Sequence, residues 1–213
     1  MAAKVLIVTA AGSGSRFGGQ NKCLATLDGT TVLQKSLDAF LGVDWTRIIV
    51  TTSESSLDAY REVLTGYPET VRVVVGGKTR FESVKLAIEA CGETTGTVLV
   101  HDAARPFVSK ALIERVLAAS SEFKAVIPGV PVVDTIKVVN SQMEVLETPA
   151  RESLRAIQTP QRFDLEALTR CYEQAYNDEI TDEAMLMELN GHLVTVIDGE
   201  LSNRKITYFT DLQ

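Results

Sequence analysis

Residues 4–22 read KVLIVTAAGSGSRFGGQNK, an apolar run that ends in a turn rich in glycine and serine. The first six residues predict a buried strand, because valine, leucine and isoleucine fill a short run. Glycines in the following turn allow backbone N–H groups to approach a phosphate closely. This stretch predicts an α/β fold that binds a phosphate-bearing ligand, such as a triphosphate, at the carboxyl end of its first strand.

Short runs rich in β-branched residues alternate with segments of helical periodicity, which indicates βαβ units around a mainly parallel sheet flanked by helices. The strands and extended segments that we predict are residues 4–9, 47–52, 71–75, 97–101, 124–128, 154–158 and 193–197. The helices that we predict are residues 31–41, 56–64, 80–90, 110–119, 165–176 and 182–189. The pattern predicts one Rossmann-like domain over residues 1–213, without repeats or linkers.

The alternation breaks after residue 128. Residues 130–139 and 144–147 read as two extended pieces around the polar turn Asn140-Ser141-Gln142, which predicts a hairpin. An isolated hairpin has little core and is only marginally stable. We therefore predict a projecting arm at about 130–152 that packs on another surface, and a second subunit is the surface that we favour.

Composition limits the classes of function. The 213 residues are 45% hydrophobic and carry a net charge of −7, which suits a soluble globular protein and disfavours a nucleic acid partner. No apolar run reaches the roughly 20 residues that cross a bilayer, and no signal-peptide cleavage pattern is present. We expect no membrane partner and a cytoplasmic location. An anionic substrate would require a locally basic pocket.

The first loop departs from two familiar nucleotide-binding motifs. A dinucleotide fingerprint requires a third glycine where Phe17 stands, and a Walker A loop requires Gly-Lys-Ser/Thr where the chain has Asn21-Lys22-Cys23. Arg16 and Lys22 flank the loop. Fixed cations beside a phosphate-binding loop stabilise the charge that develops on a phosphorus centre under attack, so both residues are candidates for catalysis.

Two later segments also follow strands. Gly77 and Lys78 would offer main-chain groups to the edge of a base, and Ser83 would add a hydroxyl. Asp102 ends the fourth strand, where a carboxylate could hold Mg²⁺ or meet sugar hydroxyls. Arg105 follows on the same turn and is a candidate for the sugar-phosphate side. The alternative for Asp102 and Arg105 is an intramolecular salt bridge.

The cysteines Cys23, Cys91 and Cys171 are widely separated, so their spacing indicates neither a disulfide framework nor a zinc site. A cysteine and histidine nucleophilic pair has no local support from the positions of His101 and His192.

In combination, these segments resemble the sugar-phosphate nucleotidyltransferases, and most closely the family of 2-C-methyl-D-erythritol 4-phosphate cytidylyltransferases of non-mevalonate isoprenoid biosynthesis. The resemblance spans nearly the whole chain. The segments that carry it are residues 10–22, 76–84, 100–106, 134–137, 158–161, 180–184 and 203–207.

The resemblance implies that CMP is transferred from CTP to the methylerythritol phosphate with release of pyrophosphate, and that Mg²⁺ or another divalent cation takes part. The residues implied to bind the nucleotide are Ala10, Ala11, Gly12, Gly14, Gly77, Lys78, Ser83 and Ala103. Those implied to be catalytic are Arg16, Lys22, Arg151 and Lys205. Asp102, Arg105 and Thr135 are assigned to the substrate, and Asp102 also to the metal. The arm would cross into the partner of a homodimer, so that each site is composite.

Two alternatives stay open. A ribitol 5-phosphate cytidylyltransferase would use the same chemistry on another acceptor, but its relatives more often have Ala-Gly-Gly in the first loop and His-Asp-Ser-Val-Arg after the fourth strand. This chain has Ala10-Ala11-Gly12 and, at residues 101–105, His-Asp-Ala-Ala-Arg. The other alternative is a nucleotide-binding relative without turnover. A dinucleotide oxidoreductase is disfavoured by Phe17 and by the lack of a second catalytic domain.

One departure from the family concerns the first loop. The family usually has Pro-Lys-Gln where this chain has Asn21-Lys22-Cys23, and the stretch between Arg16 and Lys22 is short. We expect these differences to loosen the segment that covers the triphosphate.

Overall fold

The computed structural model describes residues 2–11, 17, 21–174 and 180–212 of the chain. Within these residues the strands are β1 (Ala3–Thr9), β2 (Thr26–Leu27), β3 (Thr30–Thr31), β4 (Arg47–Thr52), β5 (Val71–Val75), β6 (Gly96–Asp102), β7 (Ala125–Pro131), β8 (Val138–Val139), β9 (Val145–Glu147), β10 (Arg155–Ile157), β11 (Gln161–Asp164) and β12 (Val194–Asp198). The α-helices are α1 (Val32–Asp38), α2 (Leu57–Val63), α3 (Arg80–Cys91), α4 (Lys110–Ala118), α5 (Leu165–Tyr172) and α6 (Glu183–Leu189).

Eight of these described strands form one sheet in the order β10-β7-β11-β6-β1-β4-β5, with β12 paired to β7. The pairs β1 with β4, β1 with β6, β4 with β5, and β7 with β12 are parallel. Only β10 and β11 run antiparallel to their neighbours in the described sheet. The prediction of a mainly parallel sheet flanked by helices is confirmed.

The sheet is buried on both faces, which explains the unbroken apolar run of β1. Val5 and Ile7 point to the face covered by α3, α5 and α6. Leu6 and Val8 point to the opposite face, where α1, α2 and α4 pack. All four side chains are fully buried. Side chains alternate along the strand, so successive residues of β1 pack into two different cores, one on each face of the sheet. This is expected for a parallel sheet between helical layers.

Side-chain caps fix where most helices begin. An oxygen of the residue before the helix accepts a hydrogen bond from a backbone N–H of the first turn at Thr31, Thr79, Ser109, Asp164 and Asp182. Such caps satisfy donors that the first turn leaves unpaired, so the predicted starts of these helices are correct to within a residue. None of the helices in the described part is long and apolar enough to cross a membrane.

The ends of two helices and the region after residue 158 differ most from the prediction. The first helix ends at Asp38, before residue 41, and α5 ends at Tyr172, while the predicted end at 176 lies outside the described residues. The extended segment at 154–158 is followed by a strand that was not predicted, β11. β11 runs antiparallel between β6 and β7 and pairs with both.

The predicted hairpin is present as β8 and β9, which form a separate two-stranded sheet. Asn140 fixes its turn, because its Oδ1 accepts the N–H groups of Gln142 and Glu144 at 3.0 and 2.9 Å. Apolar side chains of this arm face solvent, with Met143 76% and Leu146 65% exposed. The role of the arm in dimerisation stays a prediction.

Candidate active site

The carboxyl ends of β1, β5 and β6 open into a cavity of about 360 Å³. β1, β5 and β6 point in the same direction through the parallel pairs of the sheet, so their ends meet at one edge, where α/β folds bind ligands. Within the described part of the chain, the lining residues are Thr9, Ala10, Ala11, Lys22, Cys23, Gly77, Lys78, Thr79, Arg80, Ser83, Asp102, Ala104 and Lys205.

The cavity wall is locally basic although the chain is acidic overall. Lys22, Lys78, Arg80 and Lys205 line it, against Asp102 as the single carboxylate among the described lining residues. A cleft lined by one sign of charge concentrates ligands of the opposite sign. This arrangement supplies the basic pocket that an anionic substrate needs in a protein with a net charge of −7.

The turn between β5 and α3 brings the backbone against the following helix. A Cβ atom at Gly76 would lie 2.6 Å from Ser83 Oγ, and one at Gly77 would lie 2.2 Å from Glu82 Cβ. Ser83 Oγ accepts the Gly77 N–H at 3.1 Å, and Glu82 Oε2 accepts the Lys78 N–H at 2.6 Å. The backbone N–H groups of Gly77 and Lys78, which were expected to meet a base, are thus hydrogen-bonded to side chains of α3. A base that binds these N–H groups would have to displace those side chains.

Asn21 fixes the short turn that carries Lys22. Asn21 Oδ1 accepts the Cys23 N–H and the Tyr60 hydroxyl, both at 3.1 Å, and Asn21 Nδ2 donates to Ser56 Oγ at 3.2 Å. These bonds tie the turn to the start of α2 and restrain a position where the family usually has proline. The expected loosening of the segment over the triphosphate stays a prediction, because residues 18–20 lie outside the described residues.

The first loop also contacts the C-terminal segment. Lys22 Nζ donates to the Ile206 carbonyl at 3.2 Å. Phe17 is buried in a small cluster with Ile206, and its ring lies 5.7 Å from that of Phe209. Phe17, which broke the dinucleotide motif, is thus a packing residue. Three predicted site residues of this loop, Gly12, Gly14 and Arg16, lie outside the described residues.

Asp102 is shared by several cations at the end of β6. Lys205 Nζ lies 2.6 Å from Asp102 Oδ2, Arg80 Nε lies 3.6 Å from Oδ1, and Thr9 Oγ1 donates to Oδ1 at 3.3 Å. Burial alone would raise the pKa of Asp102, but the charges of Arg80 and then Lys205 outweigh it and hold that pKa well below the usual carboxyl range. Asp102 is therefore ionised at neutral pH.

The segment that carries Lys205 is fastened to the sheet by buried amides. Asn203 Nδ2 donates to the Thr159 carbonyl at 2.8 Å, and Gln158 Nε2 donates to the Glu200 carbonyl at 2.8 Å. The Ile206 N–H donates to the Ala104 carbonyl at 2.8 Å. Residues 158–161, which carried part of the resemblance, thus place Lys205 beside Asp102.

Eight of the predicted site residues line the cavity within the described part. They are Ala10, Ala11, Lys22, Gly77, Lys78, Ser83, Asp102 and Lys205. The structure brings them together from five separate segments of the chain, and each segment lies at or next to the carboxyl edge of the sheet.

Ala103 and Arg105 do not reach the cavity wall. Ala103 is fully buried, and its N–H donates to the Thr9 carbonyl at 3.1 Å. Arg105 Nη1 donates to the Asn203 carbonyl at 2.9 Å, while its Nε lies 3.9 Å from Asp102 Oδ2. Arg105 therefore braces the C-terminal segment and lies near Asp102, as the salt-bridge alternative expected, and its contact with a substrate stays a prediction.

Thr135 and Arg151 lie on and beside the arm, where both are exposed. Arg151 Nη1 donates to the Val133 carbonyl at 2.8 Å. Neither residue lines the cavity of its own chain.

Sequence reasoning missed Arg80, Thr79, Thr9, Ala104 and Cys23 at the cavity wall. Arg80 is the most informative omission, because it is a cation at the first position of α3, directly after the glycine turn at the same sheet edge. A cation at that position could have been predicted from the sequence to line the site. Cys23 gave no signal, since a buried cysteine is common in cores.

The buried thiol and imidazole near the cavity do not form a nucleophilic pair. His101 Nδ1 lies 3.0 Å from Thr159 Oγ1, and its Nε2 lies 3.3 Å from the Arg105 carbonyl. Burial lowers the pKa of His101 to about 4, so the ring is neutral at pH 7. Burial also raises the pKa of the Cys23 thiol. Both groups are structural.

Asp102 is the residue that fits a divalent cation. The described residues contain no group of three or more His, Cys, Asp or Glu side chains that could hold a metal ion. Mg²⁺ is commonly bound through one or two carboxylates together with substrate phosphates and water. A single carboxylate at the cavity fits a cation that arrives with a triphosphate, and does not fit an all-protein metal site.

Comparison with known proteins agrees with this geometry. The sequence model of the 2-C-methyl-D-erythritol 4-phosphate cytidylyltransferase family matches residues 4–213. The chain is 37% identical to the protein of that name from Halalkalibacterium halodurans, with 97% of this chain and 92% of the relative covered. It is 40% identical to the protein of the same name from Alkaliphilus metalliredigens, over 100% of this chain and 91% of the relative.

A solved structure shares the fold. The crystal structure of 4-diphosphocytidyl-2C-methyl-D-erythritol synthase from Anaerococcus prevotii superposes with a TM-score of 0.85 and 32% sequence identity. The alignment covers 99% of this chain and 92% of that one. The similarity therefore extends over the whole domain, including the arm and the C-terminal segment.

Proposed function

The chain belongs to the 2-C-methyl-D-erythritol 4-phosphate cytidylyltransferase family, and on that basis we propose that it transfers a cytidylyl group from CTP to 2-C-methyl-D-erythritol 4-phosphate. The products are 4-diphosphocytidyl-2-C-methyl-D-erythritol and pyrophosphate. The observation that carries the proposal is the basic cavity at the carboxyl ends of β1, β5 and β6, where a glycine turn, Lys22, Lys205 and Asp102 meet. The reaction serves isoprenoid biosynthesis.

The chemistry needs no covalent enzyme intermediate. An oxygen of the acceptor phosphate attacks the α-phosphorus of CTP in line, a new oxygen–phosphorus bond forms, and the bond to the bridging oxygen breaks as pyrophosphate leaves. No general base is required, because the attacking phosphate oxygen is already anionic at neutral pH. Catalysis then depends on positioning and on stabilisation of charge at the transferred group.

Lys22 is placed to stabilise that charge. Its Nζ is held by the Ile206 carbonyl, and its backbone belongs to the turn that Asn21 restrains, so the cation is oriented before a ligand binds. Preorganised cations act more strongly on the transition state than mobile ones. We assign the same role to Arg16, and we assign triphosphate binding to Gly12 and Gly14, on the family pattern alone.

Lys205 is assigned to the acceptor phosphate. Its side chain is 40% exposed and its Nζ is neutralised by Asp102 before substrate binds. A phosphate that approaches Lys205 therefore competes with Asp102, and the exchange would release one carboxylate oxygen toward a sugar hydroxyl or Mg²⁺. When bound, Mg²⁺ would neutralise charge on the triphosphate, with Asp102 as its protein ligand.

We assign Thr135 and Arg151 to the cavity of a partner subunit in a homodimer. Both are exposed and lie away from the cavity of their own chain, and the arm that holds them presents apolar side chains to solvent. Apolar patches on a small exposed element are typical of subunit interfaces. A cytoplasmic location also stays a prediction.

The test is pyrophosphate release by the purified protein with CTP and Mg²⁺. We expect turnover with 2-C-methyl-D-erythritol 4-phosphate, and none with ribitol 5-phosphate or without acceptor. Turnover only with ribitol 5-phosphate would replace the acceptor and keep the mechanism. Binding of CTP without turnover on either acceptor would support the non-catalytic alternative.

A further inference from the structure

Glu183 is a buried carboxylate that the mechanism above does not use. It lies in the first turn of α6 and its side chain is fully buried. Glu183 Oε1 and Oε2 accept from Arg80 Nη1 at 2.8 and 2.6 Å, and Oε1 also accepts from the Tyr172 hydroxyl at 3.1 Å. A buried carboxylate with three charge-assisted or hydroxyl hydrogen bonds holds its partners in one geometry.

Arg80 extends from this anchor to the cavity. Its Nη1 is taken by Glu183, and its Nε lies 3.6 Å from Asp102 Oδ1. Its Nη2 has no hydrogen-bond partner in the part of the chain that the structure describes, and 27% of the side chain is exposed at the cavity wall. Because a guanidinium is planar, fixing two of its nitrogens fixes the direction of the third.

The two carboxylates are unequal partners of Arg80. The contacts with Glu183 are shorter than the 3.6 Å approach to Asp102. Arg80 is therefore bound mainly to Glu183 and forms no close pair with Asp102. The Asp102 carboxylate stays accessible to Lys205 and to ligands. Burial would lower the pKa of Arg80, but Glu183 and then Asp102 outweigh it and raise that pKa, so the cation stays charged.

We propose that Arg80 binds an oxygen of the nucleotide through Nη2, and that Glu183 is the positioning residue that aims Arg80 into the cavity. Arg80 lies two residues after Lys78 and lines the same cavity, beside the turn that the proposed function assigns to the nucleotide. The identity of the nucleotide as CTP rests on the proposed function.

The test measures CTP binding directly, by calorimetry with Mg²⁺, and steady-state kinetics for both substrates. Glu183→Gln keeps the side-chain shape but removes the charge, so we expect CTP to bind about tenfold more weakly, with the KM for the acceptor changed less than about twofold. Glu166→Gln is the matched control, because Glu166 forms an exposed ion pair with Arg170 on α5. It should leave both constants unchanged.

A double-variant comparison separates positioning from a general loss of stability. If Glu183 acts through Arg80, the variant Arg80→Gln/Glu183→Gln binds CTP within about twofold of Arg80→Gln alone. Thermal unfolding should show the double variant to be folded, since two neutral amides replace a buried ion pair. The proposal would be overturned if the loss of CTP affinity in the double variant equalled the product of the two single losses. Normal CTP binding in Glu183→Gln would also overturn it.

If Glu183→Gln does not fold, Tyr172→Phe serves instead. It removes only the hydrogen bond to Glu183 Oε1, and we expect CTP affinity to fall about threefold in the native background and not at all in Arg80→Gln. An equal fall in both backgrounds would contradict the proposal. If the variants show these CTP affinities but the wild-type protein turns over no acceptor, the proposed function is refuted and the assignment of Arg80 and Glu183 stands.

Discussion

Asp102 and Lys205 both line the cavity and form a close charged pair, with 2.6 Å between Oδ2 and Nζ. Without ligand, each neutralises the other. An entering phosphate gives Lys205 a second anionic partner, while Arg80 and Thr9 keep Asp102 oriented from its other oxygen. We therefore expect Lys205 to exchange Asp102 for a substrate phosphate while Arg80 and Thr9 keep Asp102 in place.

Lys22 gives the sharpest prediction for a single residue. Replacing Lys22 with alanine removes an oriented cation beside the transferred phosphoryl group, so we expect kcat to fall by about a hundredfold or more. Turnover under saturating substrates checks this. Lys110→Ala, at an exposed ion pair of α4 that does not line the cavity, removes the same charge and should leave kcat unchanged. A kcat near wild type for Lys22→Ala would show that Lys22 has no part in catalysis.

Among single residues, the sequence predicted those site positions that follow directly from the end of a strand. Gly77 and Lys78 were found because they end a strand at the sheet edge. Ala103 and Arg105 were also assigned to ligands, but they lie behind the lining residues, because the direction in which a turn residue points depends on packing against the C-terminal segment. The contact of Arg80 with Glu183 joins residues 103 positions apart, and no local pattern encodes it.

Among the elements, β11 shows what a local pattern leaves out. The strand is only four residues long and places Arg162 in a buried position, where Arg162 Nη2 donates to the carbonyls of Ser120 and Phe123 at 3.0 and 3.1 Å. A short strand with a buried cation does not resemble an apolar strand. Long apolar strands such as β1 and β4 were predicted because both of their faces are buried.

Asp164 links two elements and gives a prediction on stability. It caps α5 through Oδ1, which accepts the Ala167 N–H at 2.9 Å, and its Oδ2 accepts from Lys124 Nζ at 2.7 Å. Burial would raise the pKa of Asp164, but the hydrogen bonds from Lys124 and then Ala167 lower it. Asp164→Ala should lose about 1 kcal/mol of unfolding free energy at pH 7, as measured by urea denaturation.

The pH dependence follows from the sign of that shift. The folded protein has the lower pKa at Asp164, so the charge stabilises the fold above the ordinary aspartate pKa of about 3.9, and this stabilisation is lost as the pH falls below it. The stability advantage of wild type over Asp164→Asn should therefore be smaller at pH 3 than at pH 7. Asp58→Asn, at an exposed ion pair, is the control. An advantage independent of pH would contradict the assignment.

For the whole molecule, two cores on opposite faces hold the sheet rigid, and the arm lies outside both of them. The sequence predicted this division, because the arm lacks the alternation of strands and helices. In the homodimer that we propose, the arm residues of the family pattern would meet a substrate in the cavity of the partner subunit.

Leu146 tests that arrangement. Leu146→Asp places a charge on the arm, and we expect it to weaken the dimer at least about tenfold in sedimentation experiments, with turnover falling as dimer is lost. Leu193→Asp is the matched control, since Leu193 is 86% exposed outside the arm. An active wild-type monomer would contradict the composite site.

The hydrogen bond from Lys22 to the Ile206 carbonyl joins positions 184 residues apart. A contact of such long range carries a large loop-closure cost, and folding recovers that cost only after the intervening sheet has assembled. Lys22 and the segment of Lys205, to which we assign catalysis and acceptor binding, are therefore expected to meet only after the intervening sheet has assembled. A partly folded chain would hold no oriented Lys22, so it would leave the nucleotide pool untouched until the whole domain is complete.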